Sequence, residues 1–253
     1  MTESRELTTF SPEYWREQSR AIAVSEPLGI MPTLSVRAGQ LLYEGEPVVG
    51  NMALAVVIDS LRVNTYFDGV YDPDVPQAPR CYAISRDGEQ MGPHTSMQEA
   101  LHYFKPQSAL CQDCPKNVWG SSDKGNRKGK ACQNRRRLYL LAAGRWDGKQ
   151  WQLFDTPAYY NKADIVQMSL PVTSVRAWSD YVHKLATTVQ RPPFGVATRI
   201  AVTPHPKHQF HVNFDLFASL PDELAGPIVA RRAALLAQPI QGFTPPADQE
   251  IPF

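Results

Sequence analysis

The sequence predicts a mainly β fold of the α+β class, carrying an inserted metal module and ending in an unstructured tail. Three observations carry this reading. Short runs rich in Val, Ile and Leu are broken repeatedly by Gly, Pro and Asp. Four cysteines, Cys81, Cys111, Cys114 and Cys132, follow the spacing C-x29-C-x2-C-x17-C. The last stretch, from Gln238 to Phe253, holds Pro239, Pro245, Pro246 and Pro252, a composition that cannot bury a core. The 253 residues are 43% hydrophobic, enough for one large domain.

In chain order, residues 1–32 read as a peripheral segment, with a helix start at Ser11-Pro12-Glu13. From Leu34 the pattern is β. Leu41-Leu42-Tyr43 and Val48-Val49 are short runs, and Met52 to Val63 is a longer strand. Residues 65–95 are rich in turn formers, and a short helix follows from Ser96 to Phe104. Leu138 to Gly144 reads as a buried strand, with Trp151 to Phe154 as its hairpin partner across Asp147-Gly148. Ile165 to Leu170 is a further strand, ended by Pro171. Val172 to Thr188 is a helix whose Val175, Trp178, Val182 and Leu185 share one face. Two strands, Gly195 to Thr203 and Gln209 to Phe217, and a helix from Pro221 to Leu236 complete the body. A helix between a third and a fourth strand is the order of an OB-fold-like barrel. The expected domain is therefore 33–237, with the cysteine module at about 78–137 inserted between early strands and 238–253 as the tail.

Two cysteines separated by two residues form a knuckle for one tetrahedral zinc, and Cys132 lies at zinc-ribbon spacing from them. Cys81, or His94 or His102 in its place, supplies the fourth ligand. A closed thiolate set is structural rather than catalytic. A redox Cys-x-x-Cys would need βαβ surroundings, which Cys111 and Cys114 lack.

The net charge is only +1, but it is unevenly spread. Lys116, Lys124, Arg127, Lys128, Lys130, Arg135, Arg136 and Arg137 share a window with a single acid, Asp123. The remaining chain holds 18 basic and 24 acidic residues. Such a patch is a footprint for phosphates. Single strands also need aromatic faces. Trp119 stands among the basic residues, and Tyr159-Tyr160-Asn161-Lys162 reads as an aromatic loop after Pro157. Lys207, in the turn from His205 to His208, is a further candidate contact. Tyr66, Phe67, Tyr71, Trp146 and Trp151 are weaker ones.

The chain ends Asp248-Gln249-Glu250-Ile251-Pro252-Phe253. This resembles the C-terminal tip of the bacterial single-stranded DNA-binding protein (SSB) family, an acidic run followed by Ile-Pro-Phe, although Gln249 interrupts the acids here. The resemblance spans six residues. It implies that Asp248, Glu250, Ile251, Pro252 and Phe253 dock onto replication and repair proteins. The stretches from Cys111 to Ser121 and from Gly129 to Cys132 are similar to a segment of phage-encoded proteins. That resemblance implies a phage or mobile-element origin, and some phage single-strand binders carry a zinc module inserted in an OB-fold.

The expected function is binding of single-stranded DNA in replication or recombination, without enzymatic activity, in the cytoplasm of a bacterial host. The expected partners are single-stranded DNA and the proteins recruited by the tip, with no membrane, and a second copy of the chain is allowed for. The alternatives are a zinc-containing phage transcription regulator and an RNA-binding protein. There is no P-loop, dinucleotide fingerprint or Ser-His-Asp signature, and Asp72, Asp74 and Asp87 read as turn formers.

Overall fold

A computed structural model describes residues 11, 14, 31–68, 78–100, 104–122, 129–206 and 209–243, with only the backbone at 98–100. Two units divide the chain, Met1–Met31 and Pro32–Phe253. In the first, the Tyr14 backbone N–H donates to Ser11 Oγ at 3.1 Å, as the helix start read at Ser11 requires.

The second unit is mainly β, built on one curled sheet. Its strands are β1 (Thr33–Arg37), β2 (Gln40–Tyr43), β3 (Glu46–Pro47), β4 (Met52–Tyr66), β5 (Cys81–Ser85), β6 (Cys132–Ala142), β9 (Ile165–Leu170), β10 (Val196–His205) and β11 (Gln209–Ser219). In space they run β11-β10-β4-β6-β9-β1-β2-β3, with β5 pairing the far half of β4. All of these pairs are antiparallel except β1 with β9, where Thr33 and Leu34 lie beside Gln167 and Met168. β7 (Gly144–Trp146) and β8 (Trp151–Leu153) form a separate two-stranded hairpin. The expected partner of Trp151 to Phe154 is thus a short strand after Ala143, not the buried strand itself. Gly144 allows the turn-off, since a Cβ there would meet the Gln152 carbonyl oxygen at 2.5 Å.

The helices are α1 (Pro157–Lys162), α2 (Val175–Lys184) and α3 (Ala225–Ala237). Asn161 and Lys162 were expected in a loop; Pro157 instead opens α1, because its fixed φ suits a first helical turn. α2 buries Trp178 and Tyr181 on the sheet, and the Trp178 ring meets Phe214 edge-on at 5.2 Å. Tyr181 Oη bonds Thr198 Oγ1 at 2.8 Å, which satisfies two buried hydroxyls at once. Leu54 to Ile58 are five consecutive buried residues, so β4 is covered on both faces. Ala55 and Val57 join Leu138, Leu140, Met168 and Ile200 in the inner core. α3 lies on the other face, where Arg232 Nε donates to the Ile58 carbonyl at 3.0 Å. Each such buried aliphatic side chain contributes about 1.5–3 kcal/mol.

The β1–β2 hairpin turns through Ala38 and Gly39, both at positive φ. Asn51, also at positive φ (56°), ties this hairpin to β10. Its side chain accepts from the Leu41 N–H and donates to the carbonyls of Gly39 (2.8 Å) and Val202 (3.1 Å). Three lost hydrogen bonds and a backbone that disfavours alanine predict that Asn51→Ala destabilises by about 2–4 kcal/mol. Urea unfolding measures this, and a loss below about 0.5 kcal/mol would refute the bracing role. Among the described residues no helix is long and apolar enough to cross a membrane.

Candidate functional site

Tyr66 closes β4 and stands opposite Cys81 on one neighbour and Cys132 on the other. Directly opposed residues of a ladder share a face, so three side chains stand in a row across β5, β4 and β6. The segment carrying Cys111 and Cys114 folds back over this row. The Cys111 N–H donates to the Met91 carbonyl at 2.8 Å. Asn117, in the single 3-10 turn Pro115–Asn117, donates its side-chain amide to the Cys111 carbonyl at 2.8 Å and its N–H to the Cys114 carbonyl at 2.9 Å. All four cysteines, with Asn64 and Tyr66, line one cavity of about 10 Å³, the room of a single water-sized sphere.

The thiols are free and feel one another. Burial, then the three neighbouring cysteines, pushes the Cys132 thiol up to about 12. Burial also raises Cys81 and Cys111, with smaller contributions from neighbouring thiols. A divalent cation reverses this logic, because thiolates that repel one another all attract it. Among the described residues no three His, Cys, Asp or Glu side chains already converge as ligands, so the thiols share the cavity without closing on a point. What fits zinc is the donor chemistry, together with a cysteine-bearing segment that has little burial of its own. Of residues 104–122 only Cys114 is buried, so this segment has no apolar core of its own. His94 is not in the cavity lining; its Nδ1 accepts from the Ser96 N–H at 3.1 Å. Cys81 lines that cavity with the other three cysteines. His102 lies outside the described residues.

The basic residues divide into separate groups. Lys116 is half-buried with Nζ 5.3 Å from the Tyr66 ring centre, a cation–π contact on the cysteine side. Trp119 is 71% exposed. Lys130 is exposed and donates to Asn117 Oδ1 at 3.1 Å. The N–H groups of Gly120 and Ser122 both donate to the Gly129 carbonyl, closing the base of a loop. Lys124, Arg127 and Lys128 in that loop lie outside the described residues, as do Lys207 and Asp248, Glu250, Ile251, Pro252 and Phe253.

Arg135, Arg136 and Arg137 stand within β6 rather than on the module's loop. Alternation sends them to different faces. Arg137 is engaged inside the fold, donating to the Gln241 carbonyl at 2.7 Å and to Tyr82 Oη at 2.9 Å. Arg136 faces Arg62 across the ladder. Arg135 is exposed and lines a groove of about 490 Å³. Tyr160 is fully buried and donates to the Phe154 carbonyl at 3.1 Å, so it is a core residue and not a stacking platform. Tyr159 is half-buried against the Phe154 ring at 4.1 Å, and Lys162 is exposed on α1.

The groove is also lined by Arg37 of β1, Gln167 and Ser169 of β9, Val172 and Phe210 of β11. It opens where β1 and β9 part after only two paired residues each. Sequence reasoning missed Arg37, Gln167, Ser169 and Phe210. Each is an ordinary strand residue, and only the β1–β9 pairing brings them together. Phe210, beside the turn already singled out at Lys207, is the one with a local signal. No protein-family model, curated protein or solved structure matches the chain.

Proposed function

We propose that the protein binds single-stranded DNA through an OB-like half-barrel and serves DNA replication or recombination without catalysing a reaction. The observation that carries this is where the groove sits. Taken in chain order, β4, β6, β9, β10 and β11 lie in space as 5-4-1-2-3, with α2 between the third and fourth. This arrangement supports the OB reading, with β1 occupying the free edge of the third strand. In such folds oligonucleotides lie on the face of strands two and three, between the loop joining strands one and two and the loop joining four and five. Here Arg135 comes from the second strand, Gln167 and Ser169 from the third, and Phe210 from beside the turn of the four–five hairpin. The cysteine module fills the loop between the first and second.

Arg37 and Arg135 would meet phosphates while Phe210 and Trp119 offer ring faces to bases. Lys116 and Lys130 would add charge from the module, together with Lys124, Arg127, Lys128, Lys162 and Lys207. Zinc bound by Cys81, Cys111, Cys114 and Cys132 would supply the folding energy that the module lacks. The tip from Asp248 to Phe253 would recruit replication and repair proteins through a terminal apolar ring and carboxylates. A duplex-reading regulator is disfavoured because Arg135 to Arg137 lie in a strand and not on a recognition helix.

The test is a titration of labelled oligo-dT, an equal-length duplex and oligo-rU at two salt concentrations. The expected result is tightest binding to oligo-dT, weakening with salt by a slope of about −0.7 per phosphate contacted. Equal or tighter duplex binding refutes the reading, and tighter oligo-rU binding transfers it to RNA.

A further inference from the structure

Arg62 of β4 and Arg136 of β6 are direct partners in the antiparallel ladder. Such partners project from the same face with Cβ atoms about 4.5–5.5 Å apart, and like charges so placed repel. The face is the one that carries Asn64 and Tyr66, two and four residues along β4 from Arg62, toward the cysteine cavity. On the next rung the same geometry is visible, where Asn134 Nδ2 donates to Asn64 Oδ1 at 2.6 Å.

Among the described residues no acid is paired with either arginine; Glu89, next to Gly88, is exposed and makes no ion pair. β6 contains no acid, and Asp59, the one acid of β4, is paired with Arg86 at 2.8 Å. Asp87, in the loop beside Arg62, accepts the Glu89 N–H at 2.8 Å. Among the described residues neither guanidinium has an ion-pair or hydrogen-bond partner. The Arg62 head is nevertheless placed: it packs on the backbone at Gly88, where a Cβ would come within 1.7 Å of Nη1. Arg136 is half-buried. Arg62 is exposed, so two like charges rooted on paired strand positions repel in the free protein and gain a shared partner when an oxyanion sits between them.

We propose that Arg62 and Arg136 form a two-pronged clamp for a phosphate group beside the cysteine module. The proposed function makes the phosphodiester backbone of a bound strand the source of that group, and to this extent the clamp rests on that reading. A free phosphate is the other source of the same chemistry.

The experiment compares wild type, Arg62→Gln and Arg176→Gln in two assays. Arg176 is an exposed α2 residue paired with Asp180, so its replacement removes equal charge elsewhere. In the first assay, inorganic phosphate is titrated while the melting temperature is followed. In the second, oligo-dT affinity is measured against salt. Without phosphate, Arg62→Gln is expected to melt at or above wild type, because the repulsion is relieved. It is expected to lose most of the phosphate-induced rise, to bind oligo-dT about tenfold more weakly, and to show a salt slope shallower by about 0.7. Arg176→Gln is expected to behave as wild type in both assays. A normal phosphate response and normal oligo-dT binding in Arg62→Gln overturn the clamp, as does a lower melting point with an unchanged phosphate response. If wild type does not bind oligo-dT but Arg62→Gln still loses the phosphate response, the clamp stands for free phosphate and the single-strand reading fails.

Discussion

Cys114→Ser protein is expected to purify with almost none of the zinc that wild type holds, which should be about one ion per chain. Cys114 is the only buried residue of 104–122 and shares its cavity with the other three cysteines. A serine hydroxyl fills the space but offers no thiolate, and three remaining thiols leave the set open. The effect on the rest of the molecule should be small. Among the described residues, none of the module belongs to the inner core that runs from Leu34 to Phe214. The main thermal transition should therefore shift by only a few degrees, while proteolysis within 104–131 accelerates about tenfold or more. Lys116 and Trp119 lose their frame, so oligo-dT binding should weaken about tenfold as well. Zinc content is measured by a metallochromic dye after thiol oxidation. Full zinc in the Cys114→Ser protein would sink the ligand assignment.

The second large effect is expected in the groove. Phe210 both lines it and packs against the inner core, so alanine would confuse stability with binding. Phe210→Leu keeps apolar bulk and removes the ring face. Base–aromatic stacking is worth about 1–3 kcal/mol, so oligo-dT affinity should fall roughly 5- to 100-fold with little change in melting temperature. Arg135→Gln should weaken binding about tenfold and flatten the salt dependence, because its contact would be to phosphate. The pair distinguishes the two kinds of contact: ring loss leaves the salt slope alone and charge loss changes it. Wild-type affinity in the Phe210→Leu, Arg135→Gln double variant would remove the groove from the interface.

Local pattern decided some elements by itself. Ile165–Leu170 is a strand with the bounds its residues suggest, since an apolar run closed by proline has few alternatives. The helix after Pro171 follows its 3-4-3 apolar spacing, with Trp178 and Leu185 buried as that spacing requires. Other elements were misread because local cues compete. Tyr159 and Tyr160 follow a proline that signals a loop as readily as a helix start, and only packing decided for α1, which buries the second ring completely.

The sequence by itself determined the inventory: a mainly β chain, four cysteines with metal-ligand spacing, and a basic cluster around one tryptophan. Spacing and composition are local properties, so they survive without coordinates. Only the tertiary structure decided who meets whom. The register of β4 with β5 and β6 sets Cys81 and Cys132 on either side of Tyr66 and faces Arg62 with Arg136, residues 74 positions apart. That register shifts at the irregularity between Val57 and Asp59, and a one-residue shift sends every later side chain to the other face. The parallel contact of β1 with β9 opens the groove, and it joins segments more than 130 residues apart whose sequences carry no mark of each other. Long-range pairing is chosen by the free energy of the whole core, which no window of neighbouring residues contains.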